Sequence, residues 1–146
     1  MRVKEWKNMC EVSVSTEIEA SVETVWETIR DFTAIDRYAT GITKCSVEGS
    51  GIGSVRKLTV ASGEIYEKLE SLDDHEHKIC YSIVKSPLPI EACQSSMSLS
   101  YVDDGKCKIS WSSSFEANGV PEKEAMRILS GVYNSGFEGL KRLLCP

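Results

Sequence analysis

The sequence predicts an α+β protein in which a curved antiparallel sheet of seven strands is covered by one long carboxy-terminal helix, with two short helices after the first strand. Three observations carry this. From Ser54 to Phe115 apolar and polar residues alternate with period two and are broken only by short turn signals, so successive strands return on one another and the sheet is antiparallel. One side of these strands is apolar and the other is mostly polar, so one face is wet and the other needs a cover. Pro121 to Leu144 is the one stretch with a helical apolar stripe long enough to provide it: about 24 residues at 1.5 Å each span roughly 36 Å.

In chain order, Met9 to Glu19 alternates through Val12, Val14 and Ile18 and reads as the first strand. Ser21 is placed to cap a helix in which Val22, Val25, Trp26, Ile29 and Phe32 recur at helical spacing, and a second short helix is expected over Thr33 to Tyr38. Gly41 releases the chain into a strand over Thr43 to Glu48. The run Gly49-Ser50-Gly51-Ile52-Gly53 has neither the spacing of a phosphate-binding loop nor a helix after it, and reads as a hairpin loop. Arg56, Leu58 and Val60 share one face of the next strand; Ser62-Gly63 is a two-residue turn signal, and Ile65, Glu67 and Leu69 share the matching face beyond it. Asp73 to His77 is a polar turn, and Ile79, Tyr81 and Ile83 mark a strand stopped by Pro87 and Pro89. Cys93, Met97, Leu99 and Tyr101 run to a turn at Asp104-Gly105, from which Cys107, Ile109, Trp111 and Phe115 return, while Ser96, Ser98, Ser100, Lys108, Ser110, Ser112 and Ser114 face outward.

Pro121 suits the first position of the last helix, Glu122 and Glu124 favour its amino end, and Lys141 and Arg142 its carboxyl end. Ala125, Leu129, Val132, Tyr133, Leu140, Leu143 and Leu144 form its apolar face, opposite Arg127, Glu138, Lys141 and Arg142. Gly136 sits at the centre of that face although glycine inside a helix costs about 1 kcal/mol relative to alanine. Either another backbone packs there or the helix covers a space not filled by protein.

The chain of 146 residues is expected to form one domain, with no repeat or low-complexity segment. Its net charge of −5 argues against nucleic acid or an anionic membrane as a partner. Six cysteines occur singly with no C-x-x-C pair, which disfavours structural zinc and a disulfide framework. Met1 to Asn8 is polar, without the apolar core of a secretory signal, and no run approaches a membrane span, so a cytoplasmic protein without membrane insertion is expected.

This order of elements, with V-E-T-V-W-E-T-I-R-D-F-T-A-I-D-R-Y from Val22, G-I-G-S-V-R-K-L-T-V from Gly51, E-K-L-E-S-L-D-D from Glu67, S-P-L-P-I from Ser86 and W-S-S-S-F-E-A-N-G from Trp111, resembles the helix-grip fold of the START and Bet v-type (SRPBCC) superfamily. The resemblance is to its polyketide cyclase/dehydrase-like branch. It covers nearly the whole chain after residue 10, and it implies a fold shared by carriers, receptors and cyclases more than any one activity. More distantly, K-C-S-V at Lys44, V-A-S-G at Val60 and E-K-L-E-S-L-D-D resemble the plant abscisic acid receptors. The chain departs from those receptors where Glu64-Ile65-Tyr66 replaces their Leu-Pro-Ala gate, where Pro87-Leu88-Pro89 replaces their His-Arg-Leu latch, and where Ala39 follows Tyr38 in place of their anchoring lysine. The Trp-His-Pro that many cyclase-like relatives carry near Arg37 to Ala39 is also absent.

Glu67 stands out because its parity puts a carboxylate on the covered face, where a lone charge is costly. With Ser62-Gly63 as the turn, Leu58 would lie opposite it and Arg56 diagonal to it. The two readings are a structural ion pair and a polar anchor in an apolar pocket; a general base is a third, although no partner acid is evident. Tyr81, Ser95, Trp111 and Ser113 share inward parity, the aromatics as core or wall and the buried hydroxyls as groups needing partners. Candidate catalytic residues are therefore Glu67 and Tyr81. Candidate ligand contacts are Arg56, Leu58, Val60, Glu67, Leu69, Tyr81, Ile83, Ser95, Met97, Trp111 and Ser113 on the sheet, with Ile128, Val132, Tyr133 and Gly136 on the helix. His75 and His77 lie in a charged turn with no third ligand, so no metal and no cofactor is expected. Pro87-Leu88-Pro89 reads as a rigid turn with apolar residues suited to a lid.

The functional expectation is a carrier or sensor that holds a small hydrophobic, lipid- or polyketide-like molecule between sheet and helix. The alternative is a cofactor-independent cyclase, dehydratase or isomerase in which Glu67 works with Tyr81 or Tyr133. A third reading is a protein-interaction module with a vestigial cavity.

Overall fold

The computed structural model describes residues 9–145; the polar segment Met1 to Asn8 lies outside them. Seven antiparallel strands form one sheet: β1 (Met9–Ile18), β2 (Lys44–Glu48), β3 (Val55–Val60), β4 (Gly63–Asp73), β5 (Lys78–Lys85), β6 (Ile90–Asp103) and β7 (Lys106–Ala117), in the spatial order β1-β7-β6-β5-β4-β3-β2. Helix α1 (Val22–Ile29) follows β1, and helix α2 (Glu122–Leu144) ends the chain.

The local signals act largely as expected. Ser21 Oγ accepts the backbone N–H of Thr24 and caps α1. Gly49, Gly51 and Gly53 all have positive φ in the β2–β3 loop, which is where glycine is needed. The second expected helix shrinks to a single 3-10 turn at Ile35–Arg37, because Asp31 takes the N–H and hydroxyl of Thr33 into a side-chain turn and leaves too few residues to nucleate a longer helix. Pro121 stands one position outside α2, as its cap: its φ and ψ of −62° and 153° are extended, and its carbonyl accepts from Glu124 and Ala125.

One shift in register matters for the site. The β3–β4 loop is Ala61-Ser62, and Gly63 opens β4 opposite Val60 with φ of 145°, a conformation other residues rarely adopt. Arg56 therefore stands directly opposite Glu67 and Leu58 opposite Ile65, in place of the expected Leu58–Glu67 pairing. Register shifts in the β4–β5 and β6–β7 pairings, one of them at Ala92 with φ of 51°, bend the sheet.

The core lies between the concave face and the helices, with Ile18, Ile109, Phe115, Leu129, Phe137 and Leu140 fully buried. The apolar face read from the helical period of α2 does not include Phe137, yet this residue is buried there and tilts against Trp111. Tyr101, expected with the inward run of β6, is 64% exposed beside a register shift at the strand end. The carboxyl end of α2 is fastened to β1, where Lys141 Nζ donates to Thr16 Oγ1 and Cys145 Sγ to the Glu19 carbonyl. Its amino-terminal half runs over β3, β4 and β5 and stands off from them.

Two glycines of α2 make that seating possible. A Cβ on Gly139 would come within 1.7 Å of the Tyr38 carbonyl oxygen, so the helix meets the chain after the 3-10 turn backbone to backbone. A Cβ on Gly136 would come within 2.6 Å of the Trp111 ring. Gly136 thus makes room for an indole and not for a strand backbone.

Candidate functional site

Where α2 stands off, it encloses a cavity of about 560 Å³ with the sheet and the loop after the 3-10 turn. From the sheet come Leu58, Val60, Ile65, Glu67, Tyr81, Ile83 and Trp111; from α2 come Ile128, Leu129, Val132, Tyr133 and Gly136. The rim is made by Thr40, Gly41 and Ile42, the Ala61-Ser62 turn, Leu88, Gly131 and Ser135, with Thr40 Oγ1 and Ser135 Oγ 3.3 Å apart across it. Val132, expected on the buried face, is 45% exposed because it stands at this opening. Of Pro87-Leu88-Pro89 only Leu88 reaches the wall, and a second hollow of about 400 Å³ lies beyond it between Lys85, Ser86, Glu91 and Asn118.

Charge enters the cavity at one point. Glu67 Oε1 accepts from Arg56 Nε at 2.9 Å and lies 2.7 Å from Arg56 Nη2. Arg56 Nη1 donates to the Phe32 carbonyl at 2.9 Å, and the guanidinium lies 3.9 Å from the Phe32 ring centre and 5.0 Å from that of Tyr81. Both side chains are buried, and such a pair persists only if its remaining bonds are satisfied. Burial disfavours the guanidinium charge, but Glu67 beside it, with Tyr81 and Tyr38, holds its pKa above the ordinary value. Arg56 stays behind the wall and fastens the sheet to the segment after α1; Glu67 reaches the cavity. The structural and the anchoring readings therefore describe opposite sides of one ion pair.

Next to Glu67 runs a set of aromatic and hydroxyl groups. Trp111 Nε1 donates to Tyr81 Oη at 2.9 Å, and the Trp111 and Tyr133 rings stack with centres 4.6 Å apart. The Tyr133 hydroxyl lies 3.1 Å from Ser95 Oγ, which lies 3.6 Å from Cys93 Sγ. Burial pushes Tyr133 up to about 12 and Tyr81 well above the usual phenol value, Tyr81 with help from the Glu67 charge, so both wall tyrosines keep their protons at neutral pH. Ser113 Oγ is buried beside Tyr133 and Cys93 and makes no well-formed hydrogen bond among the described residues.

Ten of the fifteen sequence-predicted contacts line the cavity, and five do not: Arg56, Leu69, Ser95, Met97 and Ser113. Strand parity identifies the covered face but not what covers it. Arg56 is screened by Glu67, and Ser95 and Ser113 lie in the layer behind Tyr133. Leu69 and Met97 belong to the filled core, with α1 packed against β6. Sequence reasoning missed Ile35, the Ala39 to Ile42 loop, the Ala61-Ser62 turn, Leu129, Gly131 and Ser135, while Leu88 belongs to the turn read as suited to a lid. Ile65 could have been found from the parity it shares with Glu67; the loop residues carry no periodicity that would reveal them.

His77 packs edge-on against Trp26 with ring centres 5.4 Å apart, and the same turn holds Asp74, which accepts from Trp26 Nε1 and Arg30. This turn clasps α1. No cluster of three metal-ligating side chains occurs among the described residues. No helix there is long and apolar enough to cross a membrane.

A family model described as polyketide cyclase/dehydrase and lipid transport matches residues 9–144, and the chain belongs to that family. Among curated proteins it is similar to the abscisic acid receptor PYL10 of Arabidopsis thaliana, 33% identical over 68% of this chain, and to the abscisic acid receptor PYL7 of the same plant, 35% identical over 53% of it. The matches span 58% and 39% of those relatives' own lengths. Among solved structures, an uncharacterised protein from Bacillus thuringiensis superposes with a TM-score of 0.88 at 27% identity, covering 94% of this chain and all of that one. The protein XoxI from Bacillus cereus gives 0.86 at 27% identity, covering 92% and 95%. The sheet and long helix described above are the fold of these neighbours.

Proposed function

We propose that this member of the polyketide cyclase/dehydrase and lipid transport family binds a small, mainly apolar molecule between the sheet and α2, in a carrier or sensor role in the cytoplasm. The observation that carries the reading is the cavity itself. Its volume of about 560 Å³ falls within the roughly 300–1,000 Å³ of small-molecule sites, and its wall has their composition, apolar with a few convergent polar groups. The family's description and the similarity to receptors named for abscisic acid support the same class of ligand. The departures from those receptors at Ala39, at Glu64 to Tyr66 and at Pro87 to Pro89 argue for a different molecule.

A cyclase or dehydratase needs a base and an acid facing each other across the substrate. Among the lining residues Glu67 is the one carboxylate, no histidine, lysine or cysteine accompanies it, and one of its oxygens is engaged by Arg56. The binding reading therefore ranks above the catalytic one. Native mass spectrometry of freshly purified protein tests it: a co-purifying small molecule is expected, and its loss on Ala39→Trp, which puts an indole into the cavity, would place it there. Consistently ligand-free spectra, with no thermal shift from a panel of neutral and acidic lipids, would sink the proposal.

A further inference from the structure

Resting on the reading of this cavity as the binding site, we infer that its ligand is uncharged and carries a hydroxyl at the inner end, donating to Glu67 Oε2 and accepting from the Tyr81 hydroxyl.

The inference comes from following each polar atom of the inner wall to its partner. Arg56 directs both Nε and Nη2 at Oε1 of Glu67 and Nη1 at the Phe32 carbonyl. Oε2 accepts nothing among the described residues, although Glu67 is only 6% exposed and lines the cavity. A carboxylate oxygen that meets this apolar cavity without a protein donor lacks the full hydration it has in water, so a donor on the ligand gains more here than in water. Tyr81 supplies the complement. Because Trp111 Nε1 donates to its oxygen, the phenol's own proton must be directed elsewhere, and no described residue accepts it. Tyr81 lies opposite Leu69, two residues along β4 from Glu67 on the same covered face, so the free acceptor and the free donor are diagonal neighbours. A hydroxyl answers both.

Charge narrows the class further. Arg56 sits behind Glu67 and compensates it, so the wall presents no unpaired cation, and an anionic head group would meet the carboxylate first. A cationic head would gain Glu67 but lie within reach of the buried guanidinium. A pure hydrocarbon would leave Oε2 and the Tyr81 proton unpaired and dry. The class left is a neutral alcohol or phenol on an apolar skeleton.

A matched set on one skeleton tests this: 1-pyrenemethanol, its methyl ether and 1-pyrenecarboxylate, titrated by fluorescence into the wild-type chain at pH 7. The alcohol should bind at least about tenfold more tightly than either of the others, as a hydrogen bond to a charged group implies. In Glu67→Gln, where the carboxamide can keep the Arg56 bond through its oxygen but presents N–H to the cavity, the preference for alcohol over ether should fall below about threefold. Equal or tighter binding of the ether or the carboxylate to wild type would overturn the inference and leave the cavity as the binding site. If none of the three binds or shifts the melting temperature, the inference fails, while the proposed function stands or falls separately on the native mass spectra and the lipid panel. The wild-type series decides even if the variant does not fold.

Discussion

Arg56 and Glu67 face one another across β3 and β4, and neither is tolerable in this interior without the other. Arg56→Met should destabilise the protein by about 3–5 kcal/mol in urea unfolding, since it strands a buried carboxylate. Arg56→Met with Glu67→Met should cost at least about 2 kcal/mol less, the remaining loss coming from the unpaired Phe32 carbonyl. Additive losses would show that the ion pair is not the unit. The buried tyrosines make a prediction about pH. Tyr38 and Tyr133 are raised by burial to about 12 and Tyr81 well above its usual value, all above the unfolded value of about 10. A group raised in the folded state contributes stability that is complete below the unfolded pKa and is lost as pH rises through the folded one. Tyrosinate absorbance at 295 nm from Tyr38 and Tyr133 should thus appear only between about pH 10 and 12, together with loss of far-UV dichroism; smooth titration of the buried tyrosines near pH 10 in folded protein would contradict it. Parity alone made Glu67 legible as an inward carboxylate. Its direct pairing with Arg56 was not legible, because it depends on Gly63 opening β4 and not sitting in the turn.

Helix α2 does two jobs along its length, and its glycines separate them. Near its carboxyl end Gly139 admits the Tyr38 carbonyl, whereas Gly131 has nothing within 4 Å of where a Cβ would go and stands at the cavity rim. Gly131→Ala should therefore raise stability by about 0.5–1 kcal/mol through helix propensity alone. Gly139→Ala gains the same propensity but drives a methyl into backbone, and should lower stability by about 1–3 kcal/mol. Two variants of equal stability would mean that α2 is not seated as described. The helical period made the existence and length of α2 readable, and Gly136 stood out as an anomaly on its apolar face. Gly139 did not, because what it accommodates is a backbone carbonyl about a hundred residues away in sequence, and no local pattern encodes that approach.

At the scale of the whole molecule, alternation and turn signals settle seven antiparallel strands, and the wet and dry faces follow from it. They do not settle how the dry face is shared. One part is closed by α1 and by the fastened end of α2; the other, over β3 to β5, is left open under the first half of that helix. This division explains why Leu69 and Met97 became core while Leu58 and Ile83 became wall. It also explains why, apart from Gly131 and Ser135 of α2, the rim comes from loops that carry no periodicity. The claim on which everything else depends is that the open part receives a ligand. Amide and indole chemical-shift mapping of the wild-type chain with 1-pyrenemethanol measures this most directly. Shifts should concentrate at the Trp111 Nε1–H and at the backbones of Leu58, Tyr81, Ile128 and Val132, with β1 and the carboxyl end of α2 unmoved. Shifts spread over the wet face of the sheet, or confined to the α1 clasp at Trp26 and Asp74, would contradict it.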